Sequence, residues 1–392
     1  FIYPDDIYGL DFFFPTCLMR FVDEHQTLKY KQSPNSKNQT FSMAELKQVT
    51  FSPEVLARIA PDVSLQRHLA LGVRPNLRNF TEFKPVEVSN STQFQDNNDN
   101  VFSSSVVKSG STTIINTITL GIVENFNSNE SEYATIYPCV EILRGRLGAP
   151  TDEEMILSQD LFETLYHNKI IPSTSLKINN LGISIKDDQT TTTSQTNSTI
   201  YYPDLNPGQW EYINLTSHHH KSYSFVLLSN IKVYSKSTST CSLFDLCYLS
   251  MLEALKSLKL PRCYVSESFT TKVAMKSRRS NTRGLVDTNK ASINIDLNKS
   301  LYEKIDLNIK SGTIASNFGV ISHEGNTILL ADLEGEAEES SVLSRLSIMT
   351  NNDSINKISL VNGDPQSEIT LEMLNNAIEI SKQRSIEQVQ QI

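Results

Sequence analysis

The chain has 392 residues, and this length predicts about two domains or one large duplicated domain. Hydrophobic residues make up 39% and charged residues 20%, which excludes a wholly disordered chain because enough apolar surface exists for a packed core. The formal net charge of −9 excludes a protein that coats nucleic acid with its whole surface, since that function needs clustered positive charge. A local basic path, or one completed by neighbouring subunits, is compatible with this charge.

Helices are predicted at four places by their capping residues and apolar spacing: from Ser52-Pro53, from the capping box of Thr151 and Glu154, over 244–258 and over 370–384. Pro61 interrupts the first of them. The helix at 244–258 is apolar nearly all round, so we expect it to be buried.

Strands rich in β-branched residues are predicted at 86–88, 106–108, 112–123, 223–234, 265, 273, 293–295, 314–318, 328–331, 344–349 and 357–361. A hairpin turn at 108–111 joins two of them. The low-complexity segment 187–199 is predicted to be a disordered insert. Two successive blocks of strands followed by a helix predict an α+β fold with a pseudo-repeat. The first half is expected over 43–262 and the second over 263–392.

The sequence lacks the patterns typical of cysteine-based sites, of targeting or membrane segments and of cofactor sites. The five cysteines form no C-x-x-C pair, so we expect reduced, mostly buried thiols in an intracellular protein. No run approaches about 18 apolar residues, so no transmembrane helix is expected. Residues 1–42 lack a basic leader, and we expect them to be a tail or translated upstream sequence without an assigned fold. No nucleotide-binding or metal-binding motif is present, so neither cofactor nor metal is predicted.

Two charged clusters carry open alternatives. The acidic run 332–339 directly follows an apolar strand, where carboxylates suit Mg²⁺ binding or acid–base chemistry, but a solvated acidic loop fits the same residues. The basic cluster at 272–283 suits contact with phosphates or with an acidic partner, or it is a solvated loop. The triplet 218–220 is interpreted as solvated histidines, because consecutive residues cannot easily converge on one ion.

A set of short motifs recurs in a fixed order: Gly72–Arg78, Val106–Thr112, Arg144-Gly145-Arg146, Thr151–Glu154, Phe244–Cys247, Lys259–Pro261, Ala331–Leu333 and Glu336–Glu339. In this order, from about residue 50 to 386, the chain resembles the RNase PH family, and specifically the ring subunits of the eukaryotic RNA exosome. The resemblance implies an RNase PH fold, which is like that of ribosomal protein S5 domain 2.

The resemblance also implies where a catalytic site would lie. Active members degrade RNA from its 3′ end with phosphate as nucleophile, using a Gly-Gly-Ser/Thr-Arg type clamp and two acidic residues six positions apart. Asp332 matches the first acidic position, and Glu338 matches the second with a longer side chain. The clamp is replaced by Leu246, Cys247, Tyr248 and Leu249, and no Lys or Arg occurs over 237–255. A phosphate there has nothing to offset its desolvation, so we expect no catalysis.

The role implied by the resemblance is structural. Six such subunits form a ring whose channel guides single-stranded RNA to a separate hydrolytic exoribonuclease. The implied partners are five other RNase PH-like subunits, RNA-binding cap subunits and that nuclease, in the nucleus, nucleolus and cytoplasm. The candidates for RNA contact are Arg74, Arg78, Arg144, Arg146, Lys276, Arg278 and Arg279. The alternatives are an active phosphate-dependent 3′-to-5′ exoribonuclease and a homo-oligomeric RNA-binding module.

Overall fold

The computed structural model describes residues 51–90, 99–125, 131–145, 148–186, 198–213, 217–235, 241–266, 271–275, 284–288, 293–308, 313–323, 325–351, 354–364 and 368–391. The expectation for 1–42 lies outside these residues, as does the predicted insert except for 198 and 199, which begin a strand. Contacts group 51–392 as one compact unit. The boundary near 262 stays a prediction. No described helix combines the length and apolar character needed to cross a membrane.

All four predicted regions are helical, although the Ser52 side chain makes no capping hydrogen bond. The helices are Pro53–Ile59 (α1), Pro61–Ala70 (α2), Asp152–Asn168 (α3), Pro207–Trp210 (α4), Cys241–Ser257 (α5), Glu336–Ser341 (α6) and Leu371–Gln391 (α7), with 3-10 turns at Ser173–Leu176, Ser217–His220 and Lys299–Leu301. The predicted capping box is present at the start of α3, with both of its reciprocal hydrogen bonds.

The strands are Glu87–Asn90 (β1), Ser103–Ser109 (β2), Thr112–Glu124 (β3), Tyr133–Ala134 (β4), Ile136–Ile142 (β5), Ile171–Pro172 (β6), Gly182–Lys186 (β7), Ser198–Tyr201 (β8), Tyr223–Ser235 (β9), Lys259–Leu260 (β10), Cys263–Ser266 (β11), Thr271–Met275 (β12), Gly284–Thr288 (β13), Ile293–Ile295 (β14), Glu303–Lys304 (β15), Ile314–His323 (β16), Asn326–Ala331 (β17), Ser344–Thr350 (β18) and Ile355–Val361 (β19). Every predicted strand is found. The elements that were not predicted are the strands β4–β8, β10, β13 and β15 and the short helices α4 and α6.

Two sheets and one buried helix form the centre of the molecule. The first sheet has the order β1-β2-β3-β9-β5 and is antiparallel except between β9 and β5. The second sheet has the order β17-β16-β18-β19 and is antiparallel throughout. Helix α5 contacts both sheets, and its apolar residues join side chains of both in the main core. This explains why 244–258 is apolar on almost every side.

Two further helices cover the sheets. Helix α7 packs on β16 and β18, where Phe318, Leu346 and Ile348 face it. These even-numbered positions share one face of the sheet because side chains alternate along a strand. Helix α3 lies beside β5. The chain that follows β17 leads into α6, next to the loop after α2. The predicted acidic pair is found there.

Candidate functional site

The turn after β17 positions the predicted acidic pair. Asp332 adopts a left-handed conformation (φ 47°), and its backbone N–H donates to the Asn317 carbonyl oxygen at 2.9 Å. Gly335 also has positive φ, at 88°, and caps α6. Glu338 lies in the first turn of α6, where acidic residues are favoured by the helix dipole. The acidic run predicted as a catalytic or solvated loop is therefore partly helical.

Glu338 is held in a buried ion pair. The Arg74 Nε donates to its Oε1 at 2.9 Å, and the Arg74 Nη2 donates to its Oε2 at 2.6 Å. Neither side chain has any exposed surface. The same Oε2 accepts the backbone N–H of Glu334 at 2.9 Å. Both oxygens of Glu338 are therefore occupied by donors of this chain, in a bidentate geometry that is among the strong hydrogen-bonding arrangements.

Arg74 also fixes the backbone of the turn. Its Nη1 donates to the Ala331 carbonyl oxygen at 2.7 Å and to that of Asn79 at 3.3 Å, and its Nη2 donates to that of Asp332 at 3.2 Å. The predicted RNA contact at Arg74 would require its guanidinium to leave these acceptors, because in this conformation it has no exposed surface. Arg74 joins the loop after α2 to the turn after β17.

The first acidic residue is also bound by the loop after α2. The Asp332 Oδ2 accepts the backbone N–H of Lys84 at 3.1 Å and lies 3.7 Å from the Arg78 Nη1. The Arg78 Nη2 donates to the Asp332 carbonyl oxygen at 2.9 Å and to Glu334 at 3.0 Å. Arg78 is 13% exposed, so most of its guanidinium is committed to this turn. Within the described ranges, no group of three His, Cys, Asp or Glu residues could hold a metal ion.

The four residues at the predicted clamp lie on α5 and are all buried: Leu246, Cys247, Tyr248 and Leu249. The Tyr248 hydroxyl accepts a hydrogen bond from Asn168 Nδ2 at 2.8 Å. Burial, assisted by the charge of Asp245, raises the pKa of Cys247 to about 12, so this thiol is protonated at neutral pH. These side chains fill the core and supply no cation for a phosphate.

A buried carboxyl group near the acidic turn, that of Asp245, was missed from sequence. Burial raises the pKa of Asp245 to about 8, against the opposing charge of Arg384 and with help from Asp332. Arg384 stacks over Phe83 at 4.0 Å, and its Nη1 donates to the Ala315 carbonyl oxygen at 3.0 Å. The available signal was a single carboxylate within the apolar stretch 243–252, which burial makes costly unless it is protonated or paired.

Arg144 is a partly available candidate for RNA contact. Its Nη2 pairs with Glu154 at 2.8 Å, while 38% of its side chain is exposed. Burial alone would raise the pKa of Glu154, but the backbone N–H groups of Thr151 and Ile142 donate to it, and together with Arg144 they lower that pKa to about 2. The candidates Arg146, Lys276, Arg278 and Arg279 lie outside the described residues.

Comparisons with known proteins bear on the fold and on part of the sequence. No protein-family model matches. The chain is 27% identical over 146 residues to exosome complex component rrp43 of Schizosaccharomyces pombe, which covers 35% of this chain and 50% of the relative. The match therefore spans about half the length of that curated relative.

Solved structures match over more of the chain. A chain of the Archaeoglobus fulgidus exosome with RNA bound to the active site aligns with a TM-score of 0.50 at 12% identity, covering 86% of this chain and 99% of that chain. A chain of the archaeal exosome core aligns with a TM-score of 0.49 at 11% identity, over 85% and 96% of the two chains.

The predicted α+β RNase PH fold is confirmed by the structural alignment with the A. fulgidus chain. The predicted resemblance to exosome subunits, in particular to ribosomal RNA-processing protein 43 of fungi, is confirmed by the rrp43 match. This chain therefore has the RNase PH-like fold of exosome ring chains, and part of its sequence resembles an exosome component of the rrp43 type.

Proposed function

We propose that this chain is a noncatalytic, structural subunit of an RNA exosome ring. It forms part of the RNA channel and supports 3′-to-5′ RNA processing and degradation, including ribosomal RNA maturation and the turnover of mRNA and aberrant RNA. The observation that carries the noncatalytic role is the complete burial of Glu338 against Arg74. The resemblance to an exosome component carries the assignment to the ring.

The buried pair argues against catalysis on energetic grounds. A carboxylate that binds a metal or moves a proton must be free to change its partners. Withdrawing Glu338 from Arg74 leaves two buried charges without compensation, and removing one partner of such a pair costs about 3–5 kcal/mol. The apolar residues Leu246 and Leu249 at the clamp position add no electrostatic stabilisation for phosphate. Asp332 and Glu338 are thus remnants that now stabilise the fold.

The partners follow from the ring. We propose five other RNase PH-like subunits around the channel, RNA-binding subunits that cap it, and an associated hydrolytic exoribonuclease that supplies the chemistry. Single-stranded RNA passes through the channel. The complex acts in the nucleus and nucleolus and also in the cytoplasm. A chain with a net charge of −9 suits this role, because only the channel-facing strip has to attract phosphates.

Arg144 is the described residue that best fits a place on the RNA path. Its guanidinium pairs with Glu154 through Nη2 and donates through Nε to the Ile142 carbonyl oxygen, and 38% of the side chain is exposed, so it can approach a phosphate without losing its anchor. Arg146, Lys276, Arg278 and Arg279 are proposed as further contacts. Such contacts follow the backbone of single-stranded RNA without reading its sequence.

Affinity purification of the tagged chain from its own cells at moderate salt, with mass spectrometry of the eluate, tests the assignment. We expect five other RNase PH-like proteins, RNA-binding cap proteins and a hydrolytic nuclease to co-elute. Recovery of the chain alone, or only with itself, contradicts the proposal. The purified chain is also incubated with single-stranded RNA and inorganic phosphate, and release of nucleoside diphosphates above background would show an active phosphorolytic enzyme instead.

A further inference from the structure

Strand β19 is a free edge of the second sheet. It pairs with β18 over 355–361, and within the described residues none of its backbone groups makes a hydrogen bond outside that ladder. Alternate residues of a strand point their N–H and C=O groups to opposite edges. A strand of this length therefore leaves about three N–H and three C=O groups facing outward.

The other edges of the two main sheets are short, partly covered or buried. On β5, the outward N–H groups of Val140 and Ile142 donate to Ser158 at 3.1 Å and to Glu154 at 2.7 Å, both on α3. On β17, one outward N–H, that of Ala331, donates to the Phe80 carbonyl oxygen at 2.7 Å, and the residues from 327 to 331 are buried or half-buried. The edge strand β1 has only four residues and is mostly polar. Among the four edges of these two sheets, β19 is therefore the long edge strand without an outward backbone hydrogen bond, in the part of the chain that the structure describes.

The open edge is also apolar. Four of its side chains are 40% to 55% exposed, namely Ile355, Ile358, Leu360 and Val361. Ile358 and Leu360 lie beside Ile348 and Leu346 of β18, which are buried under α7. The apolar surface covered by α7 therefore continues outward onto β19 and ends there in solvent. A long apolar edge strand is a ready template for pairing with another strand.

We propose that β19 is a docking edge for an extended strand of another RNase PH-like subunit of the ring. The incoming strand continues the second sheet, its backbone pairs with the open N–H and C=O groups, and its apolar side chains cover Ile358 and Leu360. Strand addition to a sheet edge draws affinity from main-chain hydrogen bonds and specificity from alternate side chains. This inference rests on the function proposed above and names one surface through which the chain joins its partners.

A different subunit fits the edge better than a second copy does. Lys357 does not decide between these occupants, because its ammonium group pairs with Asp160 and lies over the Phe244 ring of this chain. Each copy carries a net charge of −9, so like charges over the whole molecule oppose self-pairing.

Photocrosslinking in the assembled complex tests the docking edge. A benzophenone amino acid replaces Leu360 in the tagged chain expressed in its own cells, and the complex is irradiated, purified and analysed by peptide mapping. A chain with the same probe at Tyr212, which is 87% exposed in the loop after α4, is the matched control. We expect the Leu360 probe, and not the Tyr212 probe, to crosslink to a strand of another RNase PH-like subunit.

The outcomes separate this inference from the proposed function. If the ring subunits co-purify but the Leu360 probe crosslinks to nothing, to a second copy or to a cap protein, the docking edge is wrong while the subunit role stands. If no ring subunit co-purifies, both proposals fail. A second variant, Ile358→Lys with Leu360→Lys, should lower recovery of one ring subunit at least tenfold with an unchanged melting temperature, whereas Tyr212→Lys should not.

Discussion

The buried ion pair of Arg74 and Glu338 yields a quantitative prediction about stability. Arg74→Met removes the cation and leaves a buried carboxylate, a loss that costs about 3–5 kcal/mol. The carbonyl oxygens of Ala331 and Asp332 also lose a donor, at about 1 kcal/mol each. We therefore expect the free energy of unfolding to fall by about 5 kcal/mol or more, a large part of the 5–15 kcal/mol typical of a folded protein.

Urea unfolding followed by circular dichroism measures this change. The matched control is Arg58→Met, which breaks the exposed pair between Arg58 and Glu336, and it should cost no more than about 1 kcal/mol. The double variant Arg74→Met/Glu338→Met buries no charge, so it should be more stable than Arg74→Met alone. Arg74→Lys keeps the charge but loses the bidentate geometry and should fall between the wild type and Arg74→Met.

Two results would refute this reasoning. One is an Arg74→Met variant that is no less stable than Arg58→Met. The other is a double variant as unstable as Arg74→Met, which would show that the charge left on Glu338 is not what destabilises the fold. If Arg74→Met does not fold, the double variant still decides the question: a double variant that folds supports the reasoning, and one that also fails to fold contradicts it.

Four other measurements check the structure. The pKa of Glu154 is lowered from 4.5 to about 2, so its carboxylate stabilises the fold by about 3 kcal/mol above pH 4.5, and this stabilisation is lost as pH falls towards 2. In urea unfolding, Glu154→Gln should therefore reduce the change of stability with pH over this range. An unchanged pH dependence contradicts the prediction. The pKa of Asp245 is raised to about 8, so the fold loses stability as pH rises from about 4 to 8. Asp245→Asn should therefore gain stability relative to wild type over that interval. A stability difference between the two proteins that does not change with pH would argue against this prediction. A Cβ on Gly319 would lie 2.7 Å from two side chains, so Gly319→Ala should cost about 1–3 kcal/mol in thermal unfolding, whereas Gly208→Ala, with open space, should not. Cys139 is exposed and should react with N-ethylmaleimide in the native protein, while Cys247 and Cys263 are buried and should react only after unfolding, as peptide mapping will tell.

The elements that the sequence predicted well are those with local signals. The capping residues Thr151 and Glu154 lie three positions apart and act on the same helix end, so their pattern is complete within one turn. The β-branched alternation of β3 and β9 likewise reports a local preference. Helix α7 was predicted to end near 384 but continues to Gln391, since no proline or glycine stops it.

Strand β5 was missed because its sequence contains Pro138. A proline cannot donate to a sheet ladder, so it argues against a central strand. In the structure β5 is the last strand of its sheet and pairs on one side only, with β9. Proline is tolerated at such an edge. Whether a strand tolerates a proline depends on whether it lies at the edge of its sheet. That position is set by pairing with residues about ninety positions away and is not visible in the local pattern.

The acidic pair illustrates the limit for the candidate site. The spacing of Asp332 and Glu338 is legible in the sequence, but the partner of Glu338 lies 264 positions away, in the loop after α2. Nothing in the local pattern shows that Arg74 enters the core. The sequence therefore located the turn correctly, while the burial of Glu338 and the burial of Arg74 emerged only from the fold.

The exposure of the second carboxylate is thus a better criterion for activity than the spacing of the pair. An acidic pair that serves catalysis must reach a ligand, whereas Glu338 has no exposed surface and both its oxygens accept hydrogen bonds from this chain. Once such a pair is buried, losing either member costs more than keeping both, because the remaining charge has no partner. Stability alone is then sufficient reason for Arg74 and Glu338 to be present together. The same acidic spacing that serves chemistry in an active enzyme can therefore stand in a chain whose role is structural.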